Sequence, residues 1–96
     1  MKNVKKLYSF QKLPKWFNGE AYTKGATVKN PHYYAGFSKE THELTANELS
    51  MYVFIISSKY LAELNLLSVQ SYKNMMEGRD WFVLNNPKAF YDLLEY

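Results

Sequence analysis

The side chains able to do acid–base or nucleophilic chemistry are few and scattered. The chain has two histidines, His32 and His42, two aspartates, Asp80 and Asp92, and no cysteine. The missing thiols exclude a disulfide scaffold, thiolate metal sites, iron–sulfur ligation and a cysteine nucleophile, and they suit a reducing cytosol. The Ser57-Ser58 pair falls inside a helical stretch and lacks the glycine-flanked elbow of a nucleophile. The four glycines stand alone at positions 19, 25, 36 and 78, so no phosphate-cradling loop is present. A metal site would have to draw on Glu40, His42 and His32. The two-residue period of a strand puts Glu40 and His42 on one face, and a solvated strand face is the expected reading. No enzymatic activity, metal or cofactor is expected.

Charge and aromatic rings are distributed more tellingly. The formal net charge is +3, but the chain through Lys39 has eight lysines against Glu20, a balance of +7. The remainder has Lys59, Lys73, Arg79 and Lys88 against eight acids, a balance of −4. Such asymmetry bears on partners more than the total does. The rings number nine Tyr, six Phe and two Trp. In the basic part they interleave with lysine, as a single nucleic-acid strand would require of its binder: ammonium groups for phosphates and rings for base stacking. Lys5, Lys6, Lys12 and Lys15 are the candidate nucleic-acid contacts. Against this, the only arginine, the usual bidentate reader of phosphate and guanine, is the distant Arg79, and Trp16, Phe17 and Tyr22 are needed for the core. The loop His32-Tyr33-Tyr34-Ala35-Gly36-Phe37 suits protein contact, because tyrosine contributes large area at low conformational cost. Tyr33, Tyr34 and Phe37 are the candidate partner-binding residues.

The elements that must position these groups are marked by turn and cap residues. An N-terminal arm ends at Pro14, which disfavours helix at Leu13. Asn18-Gly19 signals a tight turn, and a second turn cluster opens at Asn30-Pro31 and closes near Gly36. Alternation around 24–29 and 40–44 predicts an antiparallel hairpin with a long connection. Thr45-Ala46-Asn47-Glu48 is a capping box, so a helix starts there and runs to about Leu64, with Asn65 as terminator. Ser68 caps a second helix from Val69 that carries Gly78 and continues through Trp81-Phe82-Val83. Asn86-Pro87 restarts a third, which buries Phe90, Leu93 and Leu94.

At 100° per residue the first helix presents two apolar stripes. One is Leu49, Tyr52, Val53, Ile56, Tyr60 and Leu64; the other is Met51, Phe54, Ile55, Leu61 and Ala62. Two readings follow for the second stripe. Other elements of the chain cover it, or Met51, Phe54 and Ile55 form an interface between copies of the chain, a homo-oligomer. With 47% apolar and 22% charged residues the chain is far from a disordered composition. Its longest apolar run, Met51 to Ile56, is much shorter than the roughly 20 residues of a membrane span, so no membrane segment is expected. Lys12, Pro14 and Lys15 interrupt any signal-peptide core, and the N-terminus is expected to be retained.

The series Gly19-x-x-Tyr22-x-Lys24-Gly25-Ala26-x-Val28-x-Asn30-Pro31, then Glu43-Leu44-Thr45-Ala46-x-Glu48-Leu49-Ser50-Met51-Tyr52, then Trp81-Phe82-x-x-Asn85-Asn86-Pro87-x-Ala89, resembles short proteins of marine, cyanophage-type tailed phages. The resemblance runs from Gly19 to about Leu94. That family has no assigned activity, so no catalytic residue carries over. His32-Tyr33-Tyr34 departs from it by lengthening the Asn-Pro turn. What the resemblance implies is a phage origin and action in the host cytoplasm.

The expected fold is α+β: one domain over residues 1–96, with an arm over 1–15, a β region over 16–44 containing a small antiparallel hairpin, and a helical region over 45–96 with three helices. The expected function is that of a small non-enzymatic phage accessory protein that binds a host or phage protein. The alternative is a nucleic-acid-binding protein using its basic, aromatic N-terminal surface.

Overall fold

The computed structural model describes residues 12–31, 33 and 39–94. A two-stranded antiparallel sheet, β1 (Ala26–Lys29) and β2 (Thr41–Leu44), precedes three helices, α1 (Ala46–Glu63), α2 (Val69–Asn85) and α3 (Pro87–Leu93). The layout is α+β. Most of the expected arm, residues 1–11, lies outside the described residues, as do Lys5, Lys6, Tyr34, Gly36 and Phe37.

Local chemistry sets most element ends. Thr45 and Glu48 form the expected reciprocal box: Glu48 N donates to Thr45 Oγ1 at 3.2 Å, and Thr45 N donates to Glu48 Oε1 at 3.0 Å. At the other end of α1, Asn65 adopts φ 59°, while its N–H donates to Ala62 O and that of Leu66 to Leu61 O. These two bonds close α1 with a Schellman motif, in which asparagine tolerates the left-handed position. Ser68 caps α2 by accepting from Ser71 N. Asn86 ends α2 and begins α3, donating its N–H to Phe82 O and accepting from Ala89 N. Pro87 then occupies the first position of α3, where no N–H is needed.

The hairpin is closed by one asparagine. Asn30 N donates to Glu40 O at 2.9 Å, its side-chain amide donates to Lys39 O, and Tyr33 N donates to Asn30 O. The preceding turn departs from expectation. The hydrogen bond runs from Phe17 N to Pro14 O at 3.0 Å, so the chain turns at Pro14–Phe17, and no backbone bond closes a turn at Asn18-Gly19 among the described residues. Packing explains the choice: this turn directs Trp16 and Phe17 onto Phe54, with ring centroids 5.6 and 5.4 Å away.

One core joins the layers: Leu44 from β2, Met51 and Ile55 from α1, Met75, Trp81 and Phe82 from α2, and Ala89, Phe90, Leu93 and Leu94 from α3 and its end. α1 approaches α2 closely at Gly78, where a Cβ would come within 2.8 Å of Met51 Sδ. This explains a glycine inside a helix despite its cost of roughly 1 kcal/mol relative to alanine. These contacts correct the expectation that Met51, Phe54 and Ile55 serve a second copy. Met51 and Ile55 are fully buried in the chain's own core, and Phe54 is half-buried under Trp16 and Phe17.

Candidate functional site

With Met51 and Ile55 of its second stripe turned inward, α1 directs Tyr60 and Leu64 of the first stripe outward. Leu49, Tyr52 and Ile56 still rest against the core, but Tyr60 is 62% and Leu64 49% exposed. The apolar surface continues past the Schellman turn to Leu66 at 67% and Val69 at 76% exposure, and then to Tyr72 and Met76 along the first half of α2. Helix geometry turns most of these exposed residues away from the core. Met51, Ile55 and Ser58 of α1 face the core, as do Met75, Gly78 and Phe82 of α2. Tyr60 and Leu64 project from nearly the opposite side of α1, and Val69 and Met76 from the opposite side of α2. A shallow pocket of about 190 Å³ lined by Ile56, Lys59, Tyr60 and Glu63 indents this side of α1.

The other expected residues are spread over the molecule. Tyr33 is exposed and sits at the hairpin connection, but Tyr34 and Phe37 lie outside the described residues. Lys12 and Lys15 are exposed, as are Lys24, Lys29, Lys39 and Lys88, and none of these forms an ion pair among the described residues. Arg79 is structural: its guanidinium lies 5.2 Å from the centre of the Phe90 ring, and Nη1 donates to Leu94 O at the end of α3.

His42 departs most from expectation. Its ring points inward, is 4% exposed, and places Nε2 2.7 Å from Asp92 Oδ2, while Glu40 is exposed. The solvated strand face therefore does not include His42. The pair ties β2 to α3 beside a cleft of about 390 Å³ lined by Lys39, Thr41, His42, Glu43, Asn86 and Lys88. Among the described residues no cluster of three or more His, Asp or Glu could hold a metal ion, and no helix is long and apolar enough to cross a membrane. An imidazole bonded to a carboxylate is two-thirds of a catalytic triad, but no hydroxyl is bonded to the ring among the described residues.

Comparison with protein-family models, curated proteins and solved structures finds no match to this chain. The site is therefore read from its own chemistry. The outward α1 stripe was visible in the sequence as one of two apolar sides. Which side faces water depends on Gly78, Trp16 and Phe17, none of which enters the periodicity of α1. The pairing of His42 with Asp92 had no signal in the sequence.

Proposed function

We propose that the chain is a small non-enzymatic accessory protein that binds another protein through the exposed apolar surface of α1 and the α1–α2 connection. The observation that carries this reading is the outward pair Tyr60 and Leu64, one turn apart on a helix whose opposite side is buried. Exposed aromatic and leucine side chains at i and i+4 are the anchors an amphipathic surface offers a partner groove or helix. The resemblance of Gly19 to Leu94 to short phage proteins supports a phage origin and a partner, from host or phage, met in the host cytoplasm. Tyr33 adds a further exposed ring at the hairpin connection.

A nucleic-acid role is the second reading, favoured by the exposed Lys12, Lys15, Lys24, Lys29, Lys39 and Lys88, which have no ion-pair partner among the described residues. One experiment separates the two. The tagged chain and a Tyr60→Ser/Leu64→Ser variant are used to capture partners from host lysate, with and without nuclease. The expected outcome is a protein retained after nuclease by the parent chain and lost by the variant at unchanged melting temperature. Capture that disappears with nuclease and is indifferent to the variant would transfer the function to the lysines.

A further inference from the structure

The outer edge of β2, unpaired among the described residues, has a chemistry of its own. The register pairs Ala26 with Leu44, Thr27 with Glu43, Val28 with His42 and Lys29 with Thr41, and Asn30 N donates to Glu40 O one step beyond. Antiparallel ladders alternate hydrogen-bonded with non-hydrogen-bonded pairs. The Asn30–Glu40 bond therefore makes Val28–His42 and Ala26–Leu44 the bonded pairs. The N–H and C=O groups of Thr41 and Glu43 then point away from β1, along the outer edge of β2. Among the described residues neither makes another backbone hydrogen bond.

That edge does not open onto bare solvent. It borders the 390 Å³ cleft, whose opposite wall is the start of α3 with Asn86 and Lys88. The His42–Asp92 bond holds the two walls together before any ligand arrives, which lowers the ordering cost of binding. Lys39 and Lys88 are exposed and have no carboxylate partner among the described residues. From Lys39 to Glu43 the strand path is about 14 Å at roughly 3.4 Å per residue, the span of a peptide of four or five residues.

We propose that this cleft takes an extended acidic peptide as a third strand. The peptide main chain exchanges hydrogen bonds with Thr41 and Glu43, and a peptide carboxylate meets the ammonium groups of Lys39 and Lys88. Glu43 repels a second acid further along, so the acidic residue is selected at the Lys39 end. This site is separate from the α1 surface and uses none of its residues.

The test is a ¹⁵N-resolved titration of the full chain with a blocked valine–threonine hexapeptide that carries a single glutamate near one end, and with the counterpart that carries lysine there. The acidic peptide should give saturable shifts and slowed amide exchange at Thr41 and Glu43, with Thr27 and Lys29 unchanged. A Lys39→Glu/Lys88→Glu variant should weaken binding by about tenfold or more at unchanged melting temperature. Thr41→Pro, which removes an N–H that the β1–β2 ladder does not use, should abolish it. The proposal is overturned by no saturable shift at millimolar peptide or by an equal response to the lysine peptide. Shifts that follow protein concentration without peptide would overturn it too, by assigning the edge to a second copy. No cellular partner enters the test, so its failure leaves the α1 reading intact.

Discussion

His42 and Asp92, fifty residues apart, show how one contact can set the geometry between layers. Asp92→Ala would leave a buried imidazole without its acceptor, which costs about 1–3 kcal/mol. For a domain of this size each kcal/mol corresponds to a fall of about 4–8 °C in melting temperature. His42→Leu removes the polar group along with its need for a partner, so it should cost less than Asp92→Ala in the same thermal melt. An equal or greater loss in His42→Leu would show that imidazole packing, not the bond, holds β2 to α3. The sequence put His42 with Glu40 on a solvated strand face, because the strand period alone does not say which face is buried. It could not reveal the partner, since no local pattern links a strand residue to a carboxylate three helices later.

At the scale of elements, the caps were the most legible features, because a cap is a bond between residues three or four apart. Thr45 with Glu48, Ser68, Asn65 and Asn86-Pro87 all sit at the ends they signal. What the sequence did not disclose is that two of these caps are joined. Glu48 is buried and also accepts from the side-chain amide of Asn86 at 3.3 Å, so one carboxylate links the start of α1 to the cap of α3. Thr45→Ala removes a single cap acceptor, a loss of about 1 kcal/mol. Glu48→Ala removes an acceptor from both helix starts and should cost clearly more in urea unfolding. A Glu48→Ala loss no greater than that of Thr45→Ala would mean the link to Asn86 carries no stability. The α1 stripes were less legible for the converse reason. Both have helical spacing, and only the close approach at Gly78 and the cover from Trp16 and Phe17 decide which is core.

At the scale of the molecule, the open question is whether the irregular stretch before β1 belongs to the same cooperative unit as the helices. Three contacts bind it there. Trp16 and Phe17 pack against Phe54, Trp81 Nε1 donates to Lys12 O at 3.1 Å, and Tyr22 N donates to Ser50 Oγ at 2.8 Å. Ser50 is itself buried and bonded back to Ala46 O, so the last bond reaches the first turns of α1 rather than a mobile surface group. Trp16 also lies 3.7 Å from where a Cβ on Gly78 would stand, close to the junction of α1 and α2. Loss of this stretch would uncover Phe54 and the Met51–Gly78 contact together, which argues for a single transition. The two tryptophans report on both parts, because Trp16 belongs to the stretch and Trp81 to α2. Tryptophan fluorescence and far-UV circular dichroism should therefore melt at one midpoint. Trp16→Ala should lower the Trp81 fluorescence midpoint and the helical midpoint by the same amount, with a loss of about 2–4 kcal/mol given partial burial of the ring. Early loss of Trp16 fluorescence while helical signal persists would show that the stretch unfolds alone. The α1 surface described above would then gain Phe54 as a further exposed anchor.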